Sequence, residues 1–286
     1  LQNGVTGSHN TAVGNQSQLS NNSGSNNTSV GSCSLDSNTT ASNNTAIGFC
    51  SLQANTTGAL NTALGSTALD ANTTGSEITA VGYGALGTNT TGAENTALGV
   101  SALTYNTTGA NNTGIGKGAL LNNTTASYNT AVGYNSLATN STGAGNTGLG
   151  YRSLELTTGD NNTGLGYEAG AATAGGANNT SVGKSALCKN TTGNSNVALG
   201  ISALFANTTA SNNTAIGKQA LTSNTTGTRN VAVGCGALLS NVNDNDNTGV
   251  GFATLVNSSG QSNTAVGSSA LNSNTTASNN TAVGHN

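Results

Sequence analysis

The chain repeats one short motif at a nearly constant interval over its 286 residues. The motif is Asn-Thr-Ala-Val-Gly or a close variant, and fourteen of the sixteen intervals between its glycines are 17 residues long, the other two being 16. The seventeen glycines are Gly14, Gly31, Gly48, Gly65, Gly82, Gly99, Gly116, Gly133, Gly150, Gly166, Gly183, Gly200, Gly217, Gly234, Gly251, Gly267 and Gly284. Units of such constant length must occupy equivalent spaces, which is typical of a stacked array.

Two apolar positions recur when the motif glycine is taken as position 0. Position −1 is Val, Ile or Leu, and position +4 is leucine in most units, for example Leu137. Position −3 is usually threonine but becomes valine at Val197 and Val231. Because threonine and valine have the same shape, we expect −3 and −1 to point inward and the small residue at −2 to face outward. Leucine at +4 is then the second interior anchor.

Asparagine and glycine mark the expected corners of each unit. Asparagine is frequent at −4 and at +7, and glycine is frequent at +10 as well as at 0. Identical asparagines one coil apart predict hydrogen-bonded amide ladders, which would satisfy buried polar groups at the corners. Glycines at 0 and +10 are expected at turns that require positive φ.

One unit has too few apolar residues for a core, but units stacked at a strand spacing of ~4.8 Å would align them into columns. The sequence therefore predicts an all-β protein, a parallel β-solenoid (β-roll) of about seventeen 17-residue coils. We expect a single array over residues 1–286, with no separate caps. A helical solenoid would need units of about 33 residues or more, and the helix formers Glu, Lys and Arg are rare.

Composition narrows the function classes. Charged residues are 5% and the net charge is −3, so no basic patch exists and nucleic acid is not an expected partner. No apolar stretch approaches the ~18 residues of a membrane span. The two histidines, His9 and His285, are near the ends, and Asp244 with Asp246 is interpreted as a solvated loop. We therefore expect no enzyme activity, no metal and no cofactor.

The units at 196–200 (Asn-Val-Ala-Leu-Gly) and 230–234 (Asn-Val-Ala-Val-Gly) resemble the head-domain repeats of trimeric autotransporter adhesins and of related β-roll surface and fibre proteins. Those heads are left-handed parallel β-rolls that associate as trimers on bacterial surfaces. The unit here, at 17 residues, is longer than the usual unit of that family. The resemblance implies an extracellular or cell-surface location.

Position +1 is variable and includes Phe, Tyr, Val and Lys, which indicates an outward position. Strict alternation from an inward −1 would point +1 inward, so we assume that the glycine at 0 turns the chain. Tyr134, Tyr151 and Tyr167 occupy +1 on three consecutive coils. They predict either a surface stripe for a ligand or partner, or cross-coil aromatic stacking.

Two covalent modifications are predicted from residue spacing. Cys33 and Cys50 both lie at +2 on consecutive coils, which places their Cα atoms ~4.8 Å apart and predicts a disulfide. Cys188 at +5 and Cys235 at +1 are not expected to pair within one chain. Asparagines at +7 lie in Asn-x-Ser/Thr sequons, which are either glycan acceptors in a eukaryotic secreted protein or plain ladder residues. The sequon candidates are Asn38, Asn55, Asn72, Asn89 and Asn106.

These features predict an extracellular structural fibre or adhesin module that self-associates through coil stacking. The expected partners are copies of the chain, in an end-to-end filament or a homotrimer, and surface glycans or host surface proteins. Leu1 falls on position +4 and Asn286 on +2, so the end of one chain would meet the start of the next almost in phase. The alternative is a ligand-binding solenoid of the ice-binding type, suggested by Thr-Thr at +8 and +9, although adjacent residues of a strand point to opposite faces.

Overall fold

The computed structural model describes residues 6–286 and shows an all-β protein without helices, a parallel β-solenoid of coils of about 17 residues. The predicted fold class is confirmed. Contacts between residues group the chain into two compact units, Leu1–Ala144 and Gly145–Asn286, and each is described by itself. Leu1, which enters the predicted end-to-end arrangement, lies outside the described residues.

Each coil contributes one three-residue strand at positions −3 to −1. The first unit contains β1 Thr11–Val13, β2 Thr28–Val30, β3 Thr45–Ile47, β4 Thr62–Leu64, β5 Thr79–Val81, β6 Thr96–Leu98, β7 Thr113–Ile115 and β8 Thr130–Val132. The second unit contains β9 Thr147–Leu149, β10 Thr163–Leu165, β11 Thr180–Val182, β12 Val197–Leu199, β13 Thr214–Ile216, β14 Val231–Val233, β15 Thr248–Val250, β16 Thr264–Val266 and β17 Thr281–Val283. Within each unit, consecutive strands pair in parallel with equal positions opposite each other, as Ile47 lies opposite Leu64 in β3 and β4.

The interior of each coil is filled by the leucine at +4 and by small residues at −2 and +3. In one coil, Ala97, Ala102 and Leu103 are all fully buried, and Leu137 and Leu204 are equally inaccessible in others. Burying one leucine contributes about 1.5–3 kcal/mol, and stacking joins these side chains into a column. The column is unbroken from Leu35 to Leu137 in the first unit and is interrupted at Gly170 in the second. The prediction that leucine at +4 is an interior anchor is confirmed.

The predicted orientation of the strand is wrong. In β6 the outer two residues are half-buried and exposed while the central Ala97 is buried, so −2 points inward and −3 and −1 point outward. The interior at −2 is too narrow for a larger side chain, since a Cβ added at Gly114 would lie 3.2 Å from Leu103 Cδ1. The exchange of threonine for valine at Val197 therefore takes place on the outer face, where that side chain is 38% exposed.

The glycine at 0 is required by its backbone and by the neighbouring coil. Its φ lies between 121° and 147° in all seventeen repeats, and a Cβ on Gly65 would lie 2.6 Å from the Gly82 carbonyl oxygen. This part of the turn prediction is confirmed. At +10 the prediction is wrong, because Gly58 does not have a positive φ. Glycine fits there because a Cβ would lie 2.1 Å from the Gly75 carbonyl oxygen.

Residues at −5, +2 and +4 adopt the left-handed backbone conformation, and most of them are not glycine. Leu60 at −5, Cys50 at +2 and Leu137 at +4 have φ values of 61°, 51° and 52°. This conformation costs an L-residue roughly 1–2 kcal/mol. Burial of the leucine and hydrogen bonds between coils, such as Cys50 N–H to the Ser32 carbonyl at 2.9 Å, offset that cost.

Candidate functional site

The asparagines at +7 form a buried amide ladder in the first unit. Asn89 Nδ2 donates to Asn72 Oδ1 at 3.0 Å, and Asn106 Nδ2 donates to Asn89 Oδ1 at 2.7 Å. Each Nδ2 also donates to the carbonyl at +10 of its own coil, as from Asn89 to Gly92 at 2.9 Å. The ladder satisfies polar groups that the coil removes from water. The prediction of an amide ladder at +7 is confirmed for this unit.

The asparagines at −4 form a second column with a different hydrogen-bonding pattern. Asn44 Oδ1 accepts from the backbone N–H of Asn61 at 2.9 Å, so this column connects neighbouring coils through the main chain. Asn44 Nδ2 donates to the Gly58 carbonyl at 3.0 Å, and Asn55 Nδ2 from the +7 column donates to the same oxygen at 2.9 Å. The two columns therefore meet at the carbonyl of position +10.

The five sequon asparagines belong to the +7 ladder, and all five are fully buried. In each, Nδ2 donates to the carbonyl at +10. A glycan is attached through this nitrogen and needs a surface position. In the folded coil the amide nitrogens of Asn38, Asn55, Asn72, Asn89 and Asn106 are therefore buried and engaged in hydrogen bonds.

The outer side of the strands is the candidate functional surface of each unit. We define the sheet face as the side chains at −3, −1 and +1. In the first unit, Val30, Leu64 and Leu98 at −1 are 37%, 44% and 46% exposed, and Phe49 and Tyr83 at +1 are more exposed still. Position −1 points outward because it follows the inward −2 in the strand. Position +1 lies beyond the bend at the glycine of position 0 and is outward as predicted.

The second unit presents the same kind of sheet face and a pair of stacked tyrosines. Tyr151 and Tyr167 have ring centroids 5.0 Å apart and planes inclined by 11°, and Lys184 Nζ lies 5.8 Å from the Tyr167 ring centroid. Each ring covers one face of its neighbour, so that face is not accessible to a flat ligand such as a sugar. For this pair the structure favours cross-coil stacking. Tyr134 is exposed at +1 of the first unit.

Charge is distributed unevenly around the coils. Among the described residues, no acidic side chain occupies the sheet face of either unit. Its lysines are Lys117 in the first unit and Lys184 and Lys218 in the second. Acidic residues lie at other positions, for example Glu77 and Glu94 at −5. The sheet face is therefore apolar with a few positive charges.

The threonines at +8 and +9 do not form a flat double row. At +8, Thr56 Oγ1 donates to the Thr73 carbonyl at 3.0 Å, so this hydroxyl bonds to the neighbouring coil, whereas Thr57 at +9 is exposed. This arrangement weakens the motivation for an ice-binding surface at these positions. The sheet face instead presents threonine at −3 beside an aliphatic side chain at −1, as in Thr62 and Leu64, which are both exposed.

The two acidic side chains at 244 and 246 have different environments. Asp246 accepts from Arg229 Nε at 2.7 Å and from Nη2 at 2.8 Å, and this pairing lowers the Asp246 pKa. Partial burial raises the pKa of Asp244. Over residues 6–286 no three His, Cys, Asp or Glu side chains are grouped as metal ligands. That same part of the chain contains no helix of the length and hydropathy of a membrane span.

Two cysteines lie in each unit. Cys33 and Cys50 are half-buried on consecutive coils of the first unit, and both are free thiols. In the second unit, Cys188 is half-buried and Cys235 is exposed, and these are free as well.

Sequence reasoning missed the exposure of the −1 column. The signal that could have revealed it is the restriction of position −2 to Ala, Gly and Ser in every unit, while −1 varies among Val, Ile and Leu. A position limited to the smallest side chains indicates a tight interior more strongly than hydrophobicity does.

No protein-family model matches the chain, and no curated protein matches it either. The likeness to adhesin head repeats therefore rests on the repeat motif and on the parallel β-solenoid of stacked coils.

Proposed function

We propose that the chain is a structural module of an extracellular fibre or adhesin and that copies of it associate side by side through the sheet face. The observation that supports this most directly is the column of exposed and half-buried Val, Ile and Leu at −1, which recurs in the strands of both units. Contiguous exposed apolar side chains are typical of interaction surfaces. Lateral packing of this kind is compatible with the homotrimer that the resemblance implies, and with a filament.

The occupant that best fits the sheet face is a second copy of the same face. Strands within one unit repeat at ~4.8 Å, so the side chains of two copies have the same spacing and can interdigitate along the whole unit. The branched side chains at −1 form ridges of this period, and the glycines at 0 leave grooves between −1 and +1.

The size of the face is adequate for a stable contact. The eight strands of the first unit, spaced at ~4.8 Å, and five residues of width at ~3.3 Å each give an area of roughly 630 Å² per copy. A pair would bury about 1,260 Å², which lies at the lower end of the range for specific interfaces. Charge offers little resistance, because Lys117 is the one lysine on the described sheet face of this unit and no acid accompanies it.

The proposal is tested by placing positive charges on the sheet face. In the variant Leu64→Lys/Leu98→Lys, two apolar side chains of the first unit become cationic and would face the same charges in the partner. Sedimentation velocity over a range of concentrations should show association of the unmodified chain and a shift to monomers for the variant.

The matched control is Thr57→Lys/Thr91→Lys, which adds the same charge at exposed +9 positions outside the sheet face. It should associate like the unmodified chain, and circular dichroism should show all three proteins folded. A chain that stays monomeric at every concentration, or a control that dissociates as much as the face variant, would contradict the proposal.

The second candidate function is ice binding, and the surface that could support it is the sheet face, not the threonines at +8 and +9. Thr62 and Leu64 illustrate the outward pair at −3 and −1, which repeats from strand to strand as a flat lattice of hydroxyl and aliphatic groups. A thermal-hysteresis measurement on the unmodified chain and on the face variant separates the candidates. Activity that disappears in the face variant would favour ice binding, whereas absence of activity in the unmodified chain removes this candidate.

A further inference from the structure

We propose that Cys33 and Cys50 are a disulfide-forming pair that clamps two consecutive coils of the first unit under oxidising conditions. The proposal is independent of self-association, since both residues lie outside the sheet face.

The backbone holds the two cysteines one above the other. Cys33 N–H donates to the Asn15 carbonyl at 2.9 Å, and Cys50 N–H donates to the Ser32 carbonyl at 2.9 Å, so each residue makes the same bond to the preceding coil. Their φ values, 57° and 51°, are nearly equal, so both side chains leave the backbone in the same direction. A stacking distance of ~4.8 Å between their Cα atoms lies within the roughly 4.4–6.8 Å of disulfides.

The two thiols are close enough to influence each other, since the Cys33 thiol is one of the groups that raise the pKa of the Cys50 thiol. Cys33 Sγ donates to Gln16 Oε1 at 3.2 Å. The sulfurs can therefore approach bonding distance through rotation of their side chains, without rearrangement of the coil.

Formation of the disulfide needs a two-electron oxidant, and a low-molecular-weight disulfide such as oxidised glutathione can supply it. The thiolate of one cysteine attacks a glutathione sulfur, which releases one reduced glutathione and leaves a mixed disulfide on the protein. The second protein thiolate then attacks the protein sulfur of that mixed disulfide and releases the second glutathione. The two protein thiols lose two protons and two electrons in total, and the glutathione disulfide gains them as it becomes two reduced glutathione molecules.

The surroundings favour a structural clamp over a rapidly responding sensor. Burial raises the pKa of the Cys50 thiol, and the neighbouring Cys33 and the carboxylates of Asp70 and Asp36 raise it further. Because the thiolate is the reacting form, the bond should form slowly at neutral pH and faster in mildly alkaline solution.

The test uses the full chain with Cys188→Ser and Cys235→Ser, so that only the proposed pair remains. After incubation with oxidised glutathione at mildly alkaline pH, remaining thiols are alkylated with iodoacetamide and the intact mass is measured. The expected product is a monomer lighter by two hydrogen atoms, without alkylation. Its urea denaturation midpoint should be higher than that of the same protein treated with a reductant.

The matched control adds Cys33→Ser, which leaves Cys50 alone. Cys50 should then be alkylated or carry one glutathione. Because this variant cannot form the internal disulfide, its urea denaturation midpoint should be the same with and without reductant. Peptide mapping of the unmodified chain provides a second measurement that involves no substitution. Two alkylated thiols in the folded, oxidised protein, or disulfide-linked dimers in place of the internal bond, would overturn the proposal.

Discussion

The asparagine column at +7 differs between the two units. In the first unit it is asparagine in every described coil, from Asn21 to Asn140, and each amide donates to the amide of the preceding coil. In the second unit the described amide-to-amide bonds are those from Asn207 to Asn190 and from Asn224 to Asn207. The residues that interrupt the column there are Thr157, Thr173 and Ser258.

Several polar atoms of the second-unit column have no partner. The hydroxyls of Thr157 and Thr173 are buried and make no hydrogen bond, and the same holds for Oδ1 of Asn224, although the next coil has asparagine at +7. Thr157 and Ser258 lie in the two 16-residue intervals, so in both of these coils the lost residue coincides with the loss of the amide. Strands and the inward leucines of these two coils are retained, as β10 and Leu154 show. The coil therefore forms without the +7 amide, and the ladder adds stability where it is complete.

The first prediction removes a buried apolar side chain, and its effect on stability is the reference for the changes to the ladder that follow. Leu137 is fully buried in the first unit, and Leu137→Ala should lower the free energy of unfolding by about 2–5 kcal/mol, because it leaves a cavity in the leucine column. Urea denaturation followed by circular dichroism measures the effect. A change below about 1 kcal/mol would mean that the interior closes around the cavity more completely than a packed core does.

The second prediction breaks the ladder at two points. Asn89→Leu removes the hydrogen bonds with Asn72 and Asn106 and the bond to the Gly92 carbonyl. In other coils an asparagine at −4 also donates to the carbonyl at +10, but here position −4 is Ile78, so the Gly92 carbonyl loses its side-chain donor. We expect a loss of about 3 kcal/mol, since several buried partners are left unpaired.

The equivalent change in the second unit, Asn224→Leu, should cost less, about 1–2 kcal/mol. Asn224 Oδ1 already has no partner, and the Gly227 carbonyl keeps its bond from Asn213 Nδ2 at 2.8 Å. The same denaturation experiment gives both values. Equal losses at the two positions would show that the difference in hydrogen bonding between the units does not affect stability.

The third prediction repairs the ladder. In Thr173→Asn, the new Oδ1 would accept from Asn190 Nδ2, which now donates to the Gly193 carbonyl alone, and the new Nδ2 would donate to Gly176. We expect a gain of about 1 kcal/mol in the free energy of unfolding. Thr157→Asn is the matched control, because its coil is one residue shorter and should not accommodate the amide in the same geometry. A gain at Thr157 equal to that at Thr173 would contradict this account.

The periodicity of the sequence was sufficient to predict the solenoid, the leucine column and the amide ladder. Constant spacing places equal residues at equal positions in every coil, so an interior leucine such as Leu137 and a corner asparagine such as Asn89 can be assigned without knowing the path of the chain.

The orientation of the strand could not be obtained in this way. Positions −2 and −1 are both apolar, and hydrophobicity alone favours the larger side chain as the inward one. The small residue at −2 points inward because Leu103 and Ala102 already fill the interior of the coil and leave no space for a larger side chain. Stacking of Tyr151 on Tyr167 also depends on side-chain directions that spacing does not define.

In-register pairing of near-identical coils has a consequence for how the chain folds. Strand contacts within a unit join residues one repeat apart, so folding can begin at any pair of coils and spread to their neighbours. A coil that skips one whole repeat would still align its leucines and most of its asparagines, which makes slippage by a repeat the characteristic misfolding event of such an array. The two 16-residue intervals do not prevent such slippage, because the strands on either side of them pair in register, as β9 with β10 and β15 with β16.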